Sequence, residues 1–190
     1  MICSVDSRES NSSMATFVLV PGFWLGGWAW RAVARSLQAN AHEVYAVTLT
    51  GLGEKKHLSS AQVDLDTHIN DVFNLIEYEG LSDVILVGHS YAGLVITAVA
   101  DRLAPKLAKL VYVDTAPLPN GVSLIDFYPP DMRKLYRQRV AIDGAGWRLP
   151  FPPWEELDKT GAAKDLDADM RAVIGARATD IPFGPARQPV

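Results

Sequence analysis

Ten residues constrain this chain more than any others: Val84-Ile85-Leu86-Val87-Gly88-His89-Ser90-Tyr91-Ala92-Gly93. Four apolar residues run straight into Gly-His-Ser, and an apolar stretch with small residues (Leu94, Ala98, Ala100) follows. The pattern reads as a buried strand, a turn and a buried helix, with Ser90 at the corner. In a Gly-x-Ser-x-Gly elbow the serine is held in a strained backbone conformation, so its hydroxyl projects from the C-terminal edge of the sheet. Ala92 stands where that pattern has its second glycine, and Gly93 follows at once. One extra methyl group is a small burden where a helix packs on a strand.

The flanking sequence supplies the elements around this corner. Thr16 to Val20 is a short apolar, β-branched run ended by Pro21-Gly22, as expected of a strand buried on both faces of a parallel sheet. Trp28 to Ala39 has helical spacing, with Trp30, Val33, Ala34 and Leu37 on one side. Glu43 to Val47 reads as a second strand, and strand, helix, strand in this order implies a right-handed crossover. Thr48 to Asp66 is a loop with Gly51, Gly53 and a Glu54-Lys55-Lys56-His57 cluster. Leu65, Ile69, Val72, Phe73 and Ile76 then recur at helical spacing. Asp64 and Asp66 lie near the start of that helix, where negative charge suits its dipole, and Gly80 is a stop signal. The third strand, Val84 to Val87, leads to Ser90. The helix after it runs to about Leu103, because Pro105 forbids continuation. Leu107 to Val113 is a fourth strand, closing on Asp114. The fold class predicted is α/β, a mainly parallel sheet with helices on both faces.

Residues 1–13 are polar and serine-rich, with Asp6, Arg8 and Glu9, and are expected to be disordered. The expected organisation is an N-terminal tail (1–14), an α/β core (15–117) and a helical lid (118–190). Met14 is a second candidate start. From Thr115 onward prolines recur, aromatic residues (Phe127, Tyr128, Tyr136, Trp147, Phe151, Trp154) lie between short helical patches, and no strand pattern returns. This texture predicts a lid folded over the sheet edge, or else a long irregular surface region.

Composition narrows the function classes. At 190 residues, 48% hydrophobic and 21% charged, the chain is a single globular domain with a sizeable core. A net charge of −4 gives no reason to expect nucleic acid or an anionic membrane as partner. One cysteine, Cys3, excludes an internal disulfide framework. No apolar run reaches the ~18 residues needed to span a bilayer. The N-terminus also lacks the apolar segment of a secretory signal, so a cytoplasmic location is the default. No histidine trio with carboxylates has metal-ligand spacing, and Gly51-x-Gly53 lacks the rest of a dinucleotide fingerprint. No metal and no cofactor are expected.

Several stretches together resemble the α/β-hydrolase fold. Within it they look like the branch holding plant methylesterases, hydroxynitrile lyases and many small bacterial esterases. The stretches are Phe17-Val18-Leu19-Val20-Pro21-Gly22-Phe23-Trp24-Leu25-Gly26-Gly27-Trp28, Thr50-Gly51-Leu52-Gly53-Glu54, Leu65-Asp66-Thr67-His68-Ile69, Val87 to Gly93, and Leu110-Val111-Tyr112-Val113-Asp114. They follow one another in the expected order from 16 to about 120. The resemblance implies a serine hydrolase of small-molecule esters, with Ser90 as nucleophile and the backbone amides of Phe23 and Tyr91 as oxyanion hole. Asp114 could orient a histidine or cap the first turn of the lid; the branch usually carries its acid on a later strand, which favours the structural role. His89 is expected to be packed and hydrogen-bonded, and His57 and His68 match family positions that are not catalytic. Trp24, Leu118, Trp147 and Phe151 are candidate substrate contacts, and the lid aromatics suggest a small apolar or aromatic ester.

One departure stands out. In α/β-hydrolases the triad runs Ser, acid, His along the chain, yet no histidine follows His89 here. The expectation is that the base, and two further strands and helices, lie beyond residue 190. Leu107 to Val113 would otherwise be an apolar sheet edge, open to self-association. Three readings stay open: an esterase, a catalytically inactive homologue or binding protein, and a hydroxynitrile lyase. The relevant lyases carry threonine where this chain has Gly22, which disfavours the last.

Overall fold

The computed structural model describes residues 14–190, so the expected tail lies outside the described residues. Strand β1 (Thr16–Val20) is central. It pairs in parallel with β2 (Glu43–Ala46) on one side and β3 (Val84–His89) on the other. Strand β4 (Leu107–Val113) pairs in parallel with β3, giving the order β2-β1-β3-β4. β2 ends one residue before the expected Val47. β3 runs two residues past Val87, because Gly88 and His89 still pair with Tyr112 and Val113 on β4.

Right-handed crossovers fix the layers. Helix α1 (Arg31–Ala39) connects β1 to β2 and lies on one face. Helices α2 (Leu65–Tyr78) and α3 (Ala92–Leu103) serve connections running the opposite way and pack together on the other face. Val18, Val20, Val84 and Leu86 point to α2 and α3 and are fully buried with Leu65, Ile69, Val72, Ile76, Leu94 and Val95. Two expectations for α1 change. The residues from Gly27 to Trp30 form a tight 3-10 turn, so the α-helix starts at Arg31. The apolar side of α1 is also not buried: none of its residues is buried, and Val33 is 44% exposed.

The lid contains α4 (Leu124–Phe127), α5 (Pro130–Ile142), α6 (Trp154–Thr160), α7 (Ala168–Arg177) and α8 (Gly184–Arg187). Contrary to the expectation of no further strand, β5 (Arg148–Leu149) and β6 (Ile181–Pro182) form a short antiparallel pair. Two-residue strands, one ending in proline, leave no alternating pattern to read. The lid is tied to the loops at the sheet's C-terminal end. Thr179 donates its amide to the Trp24 carbonyl (3.0 Å) and accepts from the Gly53 amide (3.0 Å), and Gln188 accepts from the Leu65 amide (2.9 Å). Among the described residues, the outer edge of β4 pairs with no strand.

Candidate active site

Ser90 sits where β3 ends and α3 begins, with a left-handed φ of 51°. Its amide donates to the Val113 carbonyl of β4 (3.0 Å), and its own carbonyl accepts from the Gly93 amide (2.9 Å). The corner is thus held from both sides. Ala92 is fully buried, so the methyl group in place of the second glycine is accommodated. The glycine need has moved one residue on: a Cβ at Gly93 would lie 2.6 Å from the Thr115 hydroxyl oxygen.

The loop after β1 packs directly against this corner. A Cβ on Gly22 would lie 3.0 Å from Ser90 Cβ and 3.1 Å from the His89 carbonyl oxygen, so glycine lets the two segments approach closely and a side chain there would crowd the corner. The next residue, Phe23, stacks its buried ring on Tyr91 with centroids 4.5 Å apart. Among the described residues, neither the Phe23 nor the Tyr91 amide is donated to a protein acceptor.

A cavity of about 190 Å³ opens at Ser90. Tyr91, Leu94, Leu118, Leu124, Phe127 and Tyr128 line it, with Asp114 to Pro117 at its rim. Of the four candidate substrate contacts, Leu118 lines this cavity. Trp24, Trp147 and Phe151 do not. Trp24 bridges to the lid, its indole N–H donating to the Leu149 carbonyl (3.1 Å) and its ring meeting Phe151 edge-on at 5.9 Å. Phe151 also meets Trp154, and the Trp147 carbonyl accepts from the Phe183 amide beside the β5–β6 pair. Leu124, Phe127 and Tyr128 are lid residues of the lining that sequence reasoning did not select, and Leu94 and Thr115 to Pro117 were not selected either. The only signal among them was that Phe127 and Tyr128 belong to the lid's scattered aromatics.

Asp114 follows β4, is exposed and also adopts a left-handed φ of 51°. It lies near enough to His89 for its charge to favour the imidazolium, although burial dominates and holds the His89 imidazole below its usual value. The His89 ring lies on the α1 face of the sheet, edge-on to Trp30 at 6.4 Å. His68 is fully buried on α2. Its Nε2 lies 2.9 Å from the Thr50 carbonyl and its Nδ1 2.8 Å from the Tyr91 hydroxyl. A carbonyl can only accept, so Nε2 carries the proton and Nδ1 receives the Tyr91 O–H. Burial keeps the imidazole below its usual value and pushes the Tyr91 phenol well above its own, so both are neutral. His57 is exposed, and His42 accepts from the Ala15 amide at the opposite end of the sheet. Among the described residues, no group of three or more His, Cys, Asp or Glu side chains could hold a metal ion. Among the same residues, no helix is long and apolar enough to cross a membrane.

Comparison with known proteins follows the same outline. A family model described as "Alpha/beta hydrolase family" matches residues 17–189. A carbendazim-hydrolysing esterase of Nocardioides sp. is 53% identical over 116 residues, covering 61% of this chain and 48% of that protein. A putative chloroplastic methylesterase of Arabidopsis thaliana is 29% identical over 197 residues, covering 97% of this chain and 43% of that protein. Among solved structures, an extracellular alpha/beta-hydrolase from a Paenibacillus species superposes with a TM-score of 0.83 at 26% identity. That superposition covers 93% of this chain and 70% of the other, a protein described as sharing structural and functional homology with tobacco salicylic acid binding protein 2. The chain spans about half the length of the curated relatives it matches.

Proposed function

The chain belongs to the alpha/beta hydrolase family, and from that premise we propose that it is the nucleophile-bearing part of a serine esterase acting on small carboxylic esters. The observation that carries this reading is the strained Ser90 corner, at the mouth of an apolar cavity and packed against the Gly22-Phe23 loop. Ser90 Oγ attacks the ester carbonyl, and its proton passes to a general base. The Phe23 and Tyr91 amides donate to the oxygen that becomes negative. Collapse expels the alkoxide, which takes the proton, and water then releases the acyl group from Ser90. Asp114 is the low-ranked candidate for the acid of this system, since it is exposed and follows the strand beside Ser90.

None of the four histidines suits the base. Both ring nitrogens of His68 are engaged, His89 faces Trp30, and His42 and His57 are held elsewhere. The reading therefore assigns the base to a histidine outside these 190 residues. The same absence supports the rival reading, an inactive homologue or binding protein. The close approach of Gly22 to Ser90 disfavours the lyase, whose threonine would need room there.

A diffusible base separates the two. The expected result is that this chain hydrolyses p-nitrophenyl acetate faster than its Ser90→Ala variant, and that added imidazole widens the gap. Imidazole's own hydrolysis is common to both and cancels. Equal rates at every imidazole concentration would leave the inactive reading standing. Carbendazim is the second substrate to test, because the relative named for hydrolysing it shares 53% of 116 aligned residues.

A further inference from the structure

We propose that His68 and the Tyr91 hydroxyl form a buried positioning device that sets the oxyanion-hole amide next to Ser90, anchoring it to helix α2. The inference rests on the reading of Ser90 and its two amides given above. It assigns a task to two side-chain groups, the His68 imidazole and the Tyr91 hydroxyl, that act through the Tyr91 backbone rather than on the substrate.

The chain of contacts is short, with His68 and Tyr91 fully buried and Thr50 and Asp71 partly so. Tyr91 supplies one oxyanion amide from its backbone, while its side chain points away into the core at 1% exposure. The hydroxyl donates to His68 Nδ1 at 2.8 Å, and His68 Nε2–H donates to the Thr50 carbonyl at 2.9 Å. Thr50 is itself clasped by Asp71, one helical turn after His68. The Asp71 carboxylate accepts from the Thr50 amide at 2.6 Å and from its hydroxyl at 2.9 Å. Helix α2 thus grips the loop after β2 and the residue after the nucleophile with two side chains on one face. The Phe23 ring lies on the Tyr91 ring, so the residue carrying the second amide rests on the same anchor.

The alternatives for these groups are poor. A buried histidine costs free energy unless both ring nitrogens are paired, and an apolar residue would fill the same space without that demand. Tyr91 has two rotatable side-chain bonds, and fixing its far end restrains the backbone that carries the amide. Small displacements of a catalytic donor matter: about 1 Å lowers rate by roughly a hundredfold. Such a device affects the transition state, where the oxyanion exists, more than ground-state binding.

The test uses the imidazole-supported, Ser90-dependent hydrolysis of p-nitrophenyl acetate, with rates divided by the folded fraction from near-UV circular dichroism. Tyr91→Phe keeps the ring stack and removes only the hydroxyl. His68→Leu removes both ring contacts, and His68→Asn restores an acceptor near the Nδ1 position. Tyr91→Phe and His68→Leu are expected to lower kcat by about 10- to 100-fold with KM within about twofold. His68→Asn recovers most of the loss, and the Tyr91→Phe/His68→Leu double variant loses no more than the worse single one. If kcat per folded molecule is unchanged in Tyr91→Phe and His68→Leu while Ser90→Ala is inactive, the positioning role is overturned and the esterase reading stands. If Ser90→Ala matches the parent, both fall together.

Discussion

At the scale of the residue, the nucleophile candidate is legible because its signal is local. A strand, a glycine and a serine within a few positions are enough to mark the corner, and the left-handed φ of Ser90 follows from that turn. The strain yields a prediction that is independent of substrate. A Cβ in the left-handed region costs about 1–2 kcal/mol, which Ser90→Ala retains and Ser90→Gly removes. Glycine returns part of this, about 0.4–1 kcal/mol, through the freedom it gives the unfolded chain. Ser90→Gly is therefore expected to be more stable than Ser90→Ala by about 0.5–1 kcal/mol in urea unfolding, with both inactive. A less stable glycine variant would show that the corner is not strained. The cavity lining was less legible. Leu124, Phe127 and Tyr128 come to Ser90 by lid packing, whereas Trp147 and Phe151 are spent on lid contacts, and nothing in their neighbouring sequence distinguishes the two sets.

At the scale of the element, legibility tracked how each element is buried. β1 and β3 announce themselves as apolar runs because inner parallel strands have no polar face, and β4 reads as the same kind of run although it lies at the sheet edge among the described residues. α2 announces itself by period and by its start. Asp64 accepts from the Thr67 amide at 2.8 Å, and the Thr67 hydroxyl takes the Asp64 amide at 3.4 Å, a reciprocal cap. α2 carries His68 and Asp71, so fraying at its first turn would reach the loop they hold. Asp64→Ala is expected to lower stability by about 1 kcal/mol, read as a lower urea midpoint at unchanged m-value. An unmoved midpoint would mean the cap is redundant with the Gln188 bond to Leu65. The period of α1 was equally clear, but period alone does not say what covers a face. Its apolar side stays unburied, and α1 packs mainly against β2 and the Gly27–Trp30 turn.

At the scale of the whole molecule, this uncovered face joins the free edge of β4. Lys109, Val111 and Val113 are in register with Ile85, Val87 and His89, the side of the sheet that α1 only partly covers. Val113 is 38% exposed, and the buried indole N–H of Trp30, beside His89, has no acceptor among the described residues. An edge strand with free N–H and C=O groups and a mostly apolar row is a template for pairing. Lys109 is the one charge within it, and a single lysine blunts an edge only locally. Among the described residues, no hydrogen bond from the lid reaches the β4 backbone; those from Thr179 and Gln188 go to the loops at the sheet's C-terminal end. The 190-residue chain is therefore expected to self-associate through β4, with a weight-average mass that rises with concentration in sedimentation or light scattering. Placing a second and third charge on the same row, Val111→Lys with Val113→Lys, is expected to return it to monomer. Both positions lie on the side of the sheet away from α2 and α3, so the Ser90 corner and its anchor should keep their structure. A parent chain that is monodisperse and monomeric at all concentrations would mean that the edge is already protected. A self-associating parent whose mass the two lysines leave unchanged would move the contact elsewhere, with the apolar side of α1 as the next surface to charge.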